Sequence, residues 1–240
     1  MNTRLAAVAS LDDQRPAGPV YRSIIVLDLE ESTMRTNPVK GELRHVMYDL
    51  LGRSLKAVAI TGNRLESLTD RGDGILVLIK PHDEVPKTVL LDRLIPLLAA
   101  LLVEYNAQAA YPALRMRLRV VMRAGEVHID RRGCYGEAID VAIRLLDSPQ
   151  VKKTLKQAAA PLVLVISNEI YSGIVCQGYV DANAYHPLVR VGVGKRRHRG
   201  WVHIPAAAPA APARGSRPAG ASGSAPLAIT DERKRYPAAG

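Results

Sequence analysis

Phenylalanine is absent from this 240-residue chain, and tryptophan occurs only once. Aromatic residues make up 4% of a composition that is 48% hydrophobic, so a core has to be filled with Leu, Val, Ile and Ala. The two cysteines, Cys134 and Cys176, are too few for the disulfide framework of a small secreted protein. The length suits one sizeable α/β domain or two small ones, and we expect aliphatic packing to hold the fold together.

Long hydrophobic runs are missing as well. The most apolar segment, from Leu94 to Val103, has about half the length that spans a bilayer, and charged residues bound it. Residues 1–19 contain no apolar stretch long enough for the h-region of a signal peptide. We therefore expect a soluble, cytoplasmic protein without a membrane partner.

Acidic residues are in the minority, because 33 Lys and Arg stand against 23 Asp and Glu and give a net charge of +10. Such an excess is compatible with anionic partners, nucleic acid among them. No helix-turn-helix, zinc-finger or RNP signature accompanies it, so a specific nucleic-acid binder is the weakest function class. The run GKRRHRG at 194–200, which begins with Gly194 and Lys195, is either a solvated basic loop or a phosphate-binding loop.

Composition divides the chain into three parts. Residues 1–19 are expected to be flexible, and residues 20–204 to form one domain. Residues 205–240 are rich in Pro, Ala, Gly and Ser without any periodicity, which is typical of a disordered tail.

Within residues 20–204, aliphatic runs predict strands and apolar residues at helical spacing predict helices. The predicted strands are 22–30, 64–68, 74–79, 115–130, 161–167, 186–194 and 200–204, and the predicted helices are 41–58, 85–109, 136–148 and 168–175. Pro96 is expected to bend the second helix. The segment 115–130 is either one long strand or a hairpin around Gly125. On the inner face of helix 136–148 we expect Ile139, Ala142, Ile143 and Leu146. This order predicts an α+β fold, a mostly antiparallel sheet covered by helices.

Two carboxylates are expected to meet at one edge of this sheet. Asp28 ends the first strand, and Asp73 lies at the tip of the hairpin between the next two. A pair of Asp side chains suits a hard divalent cation such as Mg²⁺ or Mn²⁺. The alternatives are a helix cap or loop acid at Asp28 and ordinary turn chemistry at Asp73. The segment after Asp28 leads into a helix, and its free N–H groups, with Ser32 and Thr33, suit phosphates.

Four segments of the chain, in this order, resemble the class III nucleotidyl cyclase homology domain. They are VLDLEEST at 26–33, DRGDGILVLI at 70–79, RLRVVMRAGEVHID at 117–130 and GCYGEAIDVAIRLLD at 133–147. The resemblance covers residues 22–204 and implies a ferredoxin-like βαββαβ core of the nucleotidyl cyclase type. It further implies conversion of a nucleoside triphosphate to a cyclic 3′,5′-monophosphate and pyrophosphate with two Mg²⁺ or Mn²⁺ ions per site.

The resemblance also implies roles for individual residues. Asp28 and Asp73 match the two metal-binding aspartates, and Arg144 matches the arginine that stabilises charge on the transferred phosphorus. Family sites form between two chains arranged head to tail, so a homodimer is implied in which Arg144 comes from the second chain. The residues that match the phosphate-binding loop are Leu29, Glu30, Glu31, Ser32 and Thr33.

Some positions depart from the family pattern. The asparagine that orients the ribose falls at Asp140, where an acid beside a polyanion is unfavourable unless it is protonated or paired. An ion pair between Asp140 and Arg144, one helical turn apart, is the structural alternative for both residues. The lysine that grips the triphosphate falls at Val193, and Lys195 is expected to substitute for it. Arg123 replaces the common histidine of the central strand.

The positions that read the base are Thr69 and Gly133, with Cys134 next in sequence. Neither the Lys/Asp pair expected for adenine nor the Glu/Cys pair expected for guanine is present. Two hypotheses follow. The chain is an active cyclase with non-standard base choice, or it is a catalytically degenerate cyclase-homology domain that acts as a nucleotide-binding or protein-interaction module.

Overall fold

The computed structural model of the chain describes residues 18–205. The flexible segment predicted for 1–19 and the disordered tail predicted for 205–240 lie, except at their inner ends, outside these residues. The three-part division of the chain therefore stays a prediction.

Eight strands in the described residues form one sheet in the order β2-β3-β1-β4-β6-β8-β7, with β5 paired to β4 alone. All neighbouring strands are antiparallel except β4 and β6. This architecture confirms the predicted α+β class with a mostly antiparallel sheet. The strands are β1 (Val20–Leu29), β2 (Leu65–Asp70), β3 (Gly74–Ile79), β4 (Leu118–Asp130), β5 (Gly133–Tyr135), β6 (Leu162–Ser167), β7 (His186–Val193) and β8 (Arg196–His203).

Helices cover both faces of the sheet. They are α1 (Asn37–Ala57), α2 (Lys87–Val89), α3 (Ile95–Gln108), α4 (Glu137–Leu146), α5 (Pro149–Gln157) and α6 (Asn168–Ile170), and a 3₁₀ turn spans Ser32–Met34. Short π-helical segments, Leu90–Leu94 and Tyr171–Val175, continue α2 and α6. Within residues 18–205, none of the helices combines the length and the apolarity that a bilayer crossing requires.

The central strands β1, β3 and β6 are largely aliphatic because both of their faces are buried. On β1, Ile25 and Leu27 pack into a core shared with α1 and α3, whereas Ile24 and Val26 pack into a second core shared with α4 and α5. Successive side chains of a strand point to opposite faces, so burial on both sides requires an uninterrupted apolar run.

Pro96 marks a change of helix type. The π-helical segment Leu90–Leu94 comes immediately before α3, and Pro96 lies in the first turn of α3. Proline cannot donate a backbone hydrogen bond, and its ring crowds the preceding turn, so the widened turn absorbs the mismatch. The predicted helix 85–109 is thus interrupted at the expected proline.

Gly125 lies inside a single 13-residue strand, so the hairpin alternative for 115–130 is wrong. A Cβ atom on Gly125 would lie 2.8 Å from the Cβ of Ala138 in α4. The glycine therefore lets α4 pack directly against β4, which is a close approach between helix and sheet and not a turn.

Three further expectations need correction. Ile143 is only half-buried, and the missing members of the inner face of α4 are Ala138, Val141 and Leu145. Helix α5 was not predicted, because Val151 and Leu155 are the only aliphatic side chains in PQVKKTLKQ. The last strand begins at Arg196 and not at residue 200, because the basic run pairs with β7 beyond the end of β6.

Candidate active site

Asp28 and Asp73 come together through the register of β1 and β3. Asp28 pairs with Gly74, and the Leu29 N–H donates to the Asp73 carbonyl oxygen at 3.0 Å. A Cβ atom on Gly74 would lie 2.6 Å from the Leu27 carbonyl oxygen, so only glycine permits this approach. The backbone thus sets the position of both aspartates.

Both aspartates line one cavity of about 610 Å³, which we call the carboxylate cavity. Its walls come from the end of β1 and the 29–33 loop, from the β2–β3 turn, from β4, and from α4 and α5. The lining side chains that carry charge are Asp28, Glu30, Glu31, Arg71, Asp73, Arg119, Asp147, Lys152, Lys153 and Lys156. The cavity is therefore a mixed-charge site and not an apolar pocket.

Asp28 is buried and forms an ion pair with Arg119 of β4, with side-chain exposures of 12% and 10%. Burial raises the pKa of the Asp28 carboxyl and the Asp73 charge raises it further, while Arg119 partly opposes the shift. The Nε of Arg119 is buried without a hydrogen-bond partner in the described residues. The carboxylate is thus held, in this state, by a guanidinium group.

Asp73 is exposed to the cavity and has a different partner. The Ser32 hydroxyl donates a hydrogen bond to its carboxylate, and Ser32 itself is buried. This bond ties the 29–33 loop to the β2–β3 turn across 41 residues of sequence. Both aspartates thus line the same cavity. Arg119 holds the carboxylate of Asp28, and the hydroxyl of Ser32 holds that of Asp73.

The 29–33 loop presents free backbone donors. The N–H groups of Leu29 and Glu30 donate to the carbonyls of Asp73 and Arg117, and that of Met34 donates to Glu31. Among the described residues, the N–H groups at 31–33 have no acceptor. Glu31 has φ 54°, in the left-handed region. Consecutive free N–H groups at such a turn form a concave site suited to anions.

Arg144 and Asp140 lie elsewhere. Both are exposed on α4 and neither lines the carboxylate cavity, although Ile143 beside them does. No ion pair joins them within residues 18–205, so the structural alternative that pairs them is wrong. Their side chains are instead available on the surface of this copy.

Lys195 also lies outside the cavity, in the turn between β7 and β8. The following residues belong to β8, so the proposed basic loop is mostly a strand. Arg196 and His198 approach Glu137 at the start of α4, at 3.6 Å and 3.5 Å. These two contacts lie where β8 passes the start of α4.

Thr69 lies on β2, and Gly133 begins β5. Thr69 is half-buried, and Gly133 is exposed with φ 145°. Burial raises the pKa of the Cys134 thiol, and a hydrogen bond with the Thr69 side chain and the charge of Arg71 oppose it. It is therefore the thiol of Cys134, one position further on, that faces Thr69.

Sequence reasoning missed five cationic side chains of the cavity, Arg71, Arg119, Lys152, Lys153 and Lys156. The sequence does contain a signal for Arg119 and another for the three lysines. Arg119 interrupts the aliphatic run LRVVM at the start of β4, and the KKxxK spacing puts three lysines on one side of a helix once α5 is recognised.

Neither protein-family models nor curated protein sequences match this chain. Solved structures do. The guanylyl cyclase Cya2 has a TM-score of 0.57 at 15% identity, over 80% of this chain and 95% of that one. The catalytic core of a rhodopsin-guanylyl cyclase with converted specificity, in complex with ATPαS, has 0.54 at 14%, over 80% and 99%. The non-canonical dimeric guanylyl cyclase domain of the RhoGC fusion protein from Blastocladiella emersonii has 0.52 at 13%, over 80% and 98%.

These likenesses define the class of fold: the described domain is a divergent form of the nucleotidyl cyclase fold. The shared fold extends over nearly the whole of each of those domains. It confirms the resemblance that the four sequence segments indicated.

Proposed function

We propose that this protein is a nucleotidyl cyclase that converts a nucleoside triphosphate to a cyclic 3′,5′-monophosphate and pyrophosphate in the cytoplasm. One observation carries the proposal: Asp28 and Asp73 line the same cavity as the free N–H groups of the 29–33 loop and a set of cationic side chains. Two carboxylates beside an anion site are what a metal–triphosphate complex requires. The shared fold and the ATPαS complex of one similar structure support the proposal further.

The donor set fits metal ions that arrive with the nucleotide. No group of three or more His, Cys, Asp or Glu side chains in the described residues is arranged to hold an ion alone. Asp28 and Asp73 offer two carboxylates, and Mg²⁺ commonly combines one or two carboxylates with water and substrate phosphates. When bound, two Mg²⁺ or Mn²⁺ ions would supply Lewis acidity toward the ribose hydroxyl and the phosphates. Arg119, which neutralises Asp28, has to give way for the ions to bind.

In the proposed reaction, the ribose 3′-oxygen forms a bond to the α-phosphorus of the same nucleotide. The bond from that phosphorus to the β-phosphate oxygen breaks, pyrophosphate leaves with the electron pair, and the hydroxyl proton passes to water. The N–H groups at 31–33 hold phosphate oxygens in place. Arg144 of a second copy would stabilise the negative charge that develops around the α-phosphorus.

A head-to-tail homodimer is part of the proposal. Arg144 is exposed and lies outside the cavity of its own copy, which supports a role in the cavity of another copy. Asp140 and Lys195, which are also exposed, would enter the same second site. One similar structure, the guanylyl cyclase domain from Blastocladiella emersonii, is described as a non-canonical dimer.

The base choice is proposed to be non-standard. Thr69 offers one hydroxyl, Gly133 offers no side chain, and the adjacent Cys134 thiol lies close to Thr69. A hydroxyl both donates and accepts, so it discriminates weakly between bases. We therefore expect more than one nucleoside triphosphate to be accepted.

The first experiment incubates the purified full chain with each of the four nucleoside triphosphates and Mn²⁺ and identifies cyclic products by mass spectrometry. We expect product from at least one of them, and a loss of about 100-fold or more in Asp28→Ala and Asp73→Ala, because each change removes a metal ligand. No product from any triphosphate with a folded dimer would overturn the proposal and favour the nucleotide-binding or protein-interaction module.

A second arm tests the shared site. Asp73→Ala and Arg144→Ala chains, each inactive alone, are mixed. Random exchange into a two-fold dimer restores one intact site in half of the dimers, so about a quarter of the wild-type activity should return. Activity in Arg144→Ala alone, or none after mixing under conditions where subunits exchange, would contradict the head-to-tail arrangement.

A further inference from the structure

We propose that three lysines of α5 bind the polyphosphate end of the nucleotide, namely Lys152, Lys153 and Lys156. They belong to the same chain that supplies Asp28 and Asp73 to the site. All three line the carboxylate cavity. The inference deepens the proposed function and rests on it for the identity of the nucleotide. The ligand chemistry itself, a triphosphate, is tested directly below.

The sequence of α5 presents these lysines as a rigid set. Ser148 caps the helix by accepting from the Val151 N–H at 3.4 Å, and Pro149 occupies its first turn. Val151 and Leu155 are completely buried and anchor the helix to the core. Positions 152, 153 and 156 then lie on one side of the helix, because residues three and four apart are neighbours.

The lysines differ in how far they are already neutralised. Lys152 lies 3.6 Å from Asp147, a weak pair between two half-exposed side chains. Within residues 18–205, Lys153 and Lys156 have no ion-pair partner. Arg71 also lines the cavity and has no ion-pair partner in the described residues, so Lys153, Lys156 and Arg71 are the cations there that are free to meet an anionic ligand.

Binding of an anionic ligand falls to Arg71 and the α5 lysines, because the fifth cation of the cavity is already paired with an acid. Arg119 is engaged with Asp28, and Glu30 is engaged with Arg117 at 3.0 Å. A triphosphate brings more negative charge than two ions between two aspartates can offset without further cations. The lysine side chains of α5 face that position from the wall of the cavity.

The chain also lacks a cation where the resemblance places one. Val193 occupies the position of the triphosphate-binding lysine, and Lys195 lies in a turn outside this cavity. The lysines of α5 add positive charge from the same copy, beside the Lys195 that a second copy is proposed to contribute.

The experiment measures binding of inorganic tripolyphosphate, with Mn²⁺, to the purified full chain by titration calorimetry. We expect Lys153→Ala/Lys156→Ala to weaken binding by about four- to 25-fold, because partly solvated contacts of single lysines each contribute a factor of about two to five. The Lys153→Arg/Lys156→Arg variant keeps the charge and should stay within about threefold of the wild type.

The matched control is Lys56→Ala. Lys56 lies in the last turn of α1, as Lys156 lies in the last turn of α5, and both are exposed, but Lys56 is not on the cavity. We expect Lys56→Ala to bind tripolyphosphate like the wild type. Alanine favours helix at each of these positions, so the variants should fold, and circular dichroism checks that they do.

The two proposals fail in different ways. Tripolyphosphate binding that is absent in the wild type, or that changes less than twofold in Lys153→Ala/Lys156→Ala, overturns the lysine assignment even if cyclic product is formed. Lysine-dependent binding without cyclic product from any triphosphate supports the lysine assignment and overturns the proposed cyclase activity.

Discussion

The two faces of the sheet use the same strands for different purposes. On one face, the long helices α1 and α3 cover the larger aliphatic core, and α6 and the chain around it extend that cover. On the other face, the short helices α4 and α5 cover the smaller core and border the carboxylate cavity at their ends. The comparison indicates that α1 and α3 mainly stabilise the domain, whereas α4 and α5 also place charged groups.

The largest effect is expected when one buried leucine on each face of the sheet is truncated to alanine. Leu51 of α1 and Leu145 of α4 are both completely buried. Truncation to alanine should cost about 3 kcal/mol in either case, which corresponds to a fall in Tm of roughly 6–12 °C. Only Leu145→Ala should also weaken tripolyphosphate binding below Tm, because α4 and the neighbouring α5 form the cavity wall. Equal effects of both variants on binding would remove the distinction between the faces.

A smaller effect is expected where α4 approaches the sheet. In Gly125→Ala, the new methyl group would meet Ala138 at 2.8 Å, and such overpacking costs about 1–3 kcal/mol. Denaturant unfolding should show this loss. Adding Ala138→Gly removes the opposing methyl group and should recover part of it, less about 1 kcal/mol for glycine inside a helix. If the changes in unfolding free energy of Gly125→Ala and Ala138→Gly simply add in the double variant, the close contact between these residues does not position α4.

The smallest effect concerns the two cysteines, one near each face. Cys176 follows the α6 segment and is exposed, whereas Cys134 is half-buried and faces Thr69. Because burial raises the pKa of the Cys134 thiol, its thiolate fraction near pH 8 is lower, so iodoacetamide should label Cys176 first. Peptide mass spectrometry gives the order. Faster labelling of Cys134 would show that the reagent reaches this thiol freely, although the residue is half-buried in the structure.

The central strands were readable from sequence because β1, β3, β4 and β6 contain aliphatic runs, whereas β5 has none and was not predicted. The meeting of Asp28 with Asp73 followed from the βαββ order, and the structure brings both side chains to one cavity. Asp28 and Asp73 are 45 positions apart in sequence, and the pairing of β1 with β3 brings them together. A pattern of apolar residues can predict such strand pairing.

The lysines of α5 and the Asp28–Arg119 pair were not predictable in the same way. Helix α5 has too few apolar residues for a helical repeat to be recognised in its sequence. From sequence alone, its lysines therefore look like part of a polar connecting segment. Arg119 is recognised as a partner of Asp28 only once the register of β1 and β4 is known, because the two residues are 91 positions apart. Side-chain partners across a sheet depend on register, and a single-residue slip would change all of them.

The Gly74 contact has a thermodynamic consequence. It holds Asp73 beside β1, and β1 and β3 are interior strands with neighbours on both sides. Local fraying of a chain end cannot separate these two carboxylates, since doing so means opening the middle of the sheet. Ligand affinity and the melting of the domain should therefore vanish in one cooperative event, and a saturating metal–triphosphate complex should delay that event in proportion to the logarithm of its concentration.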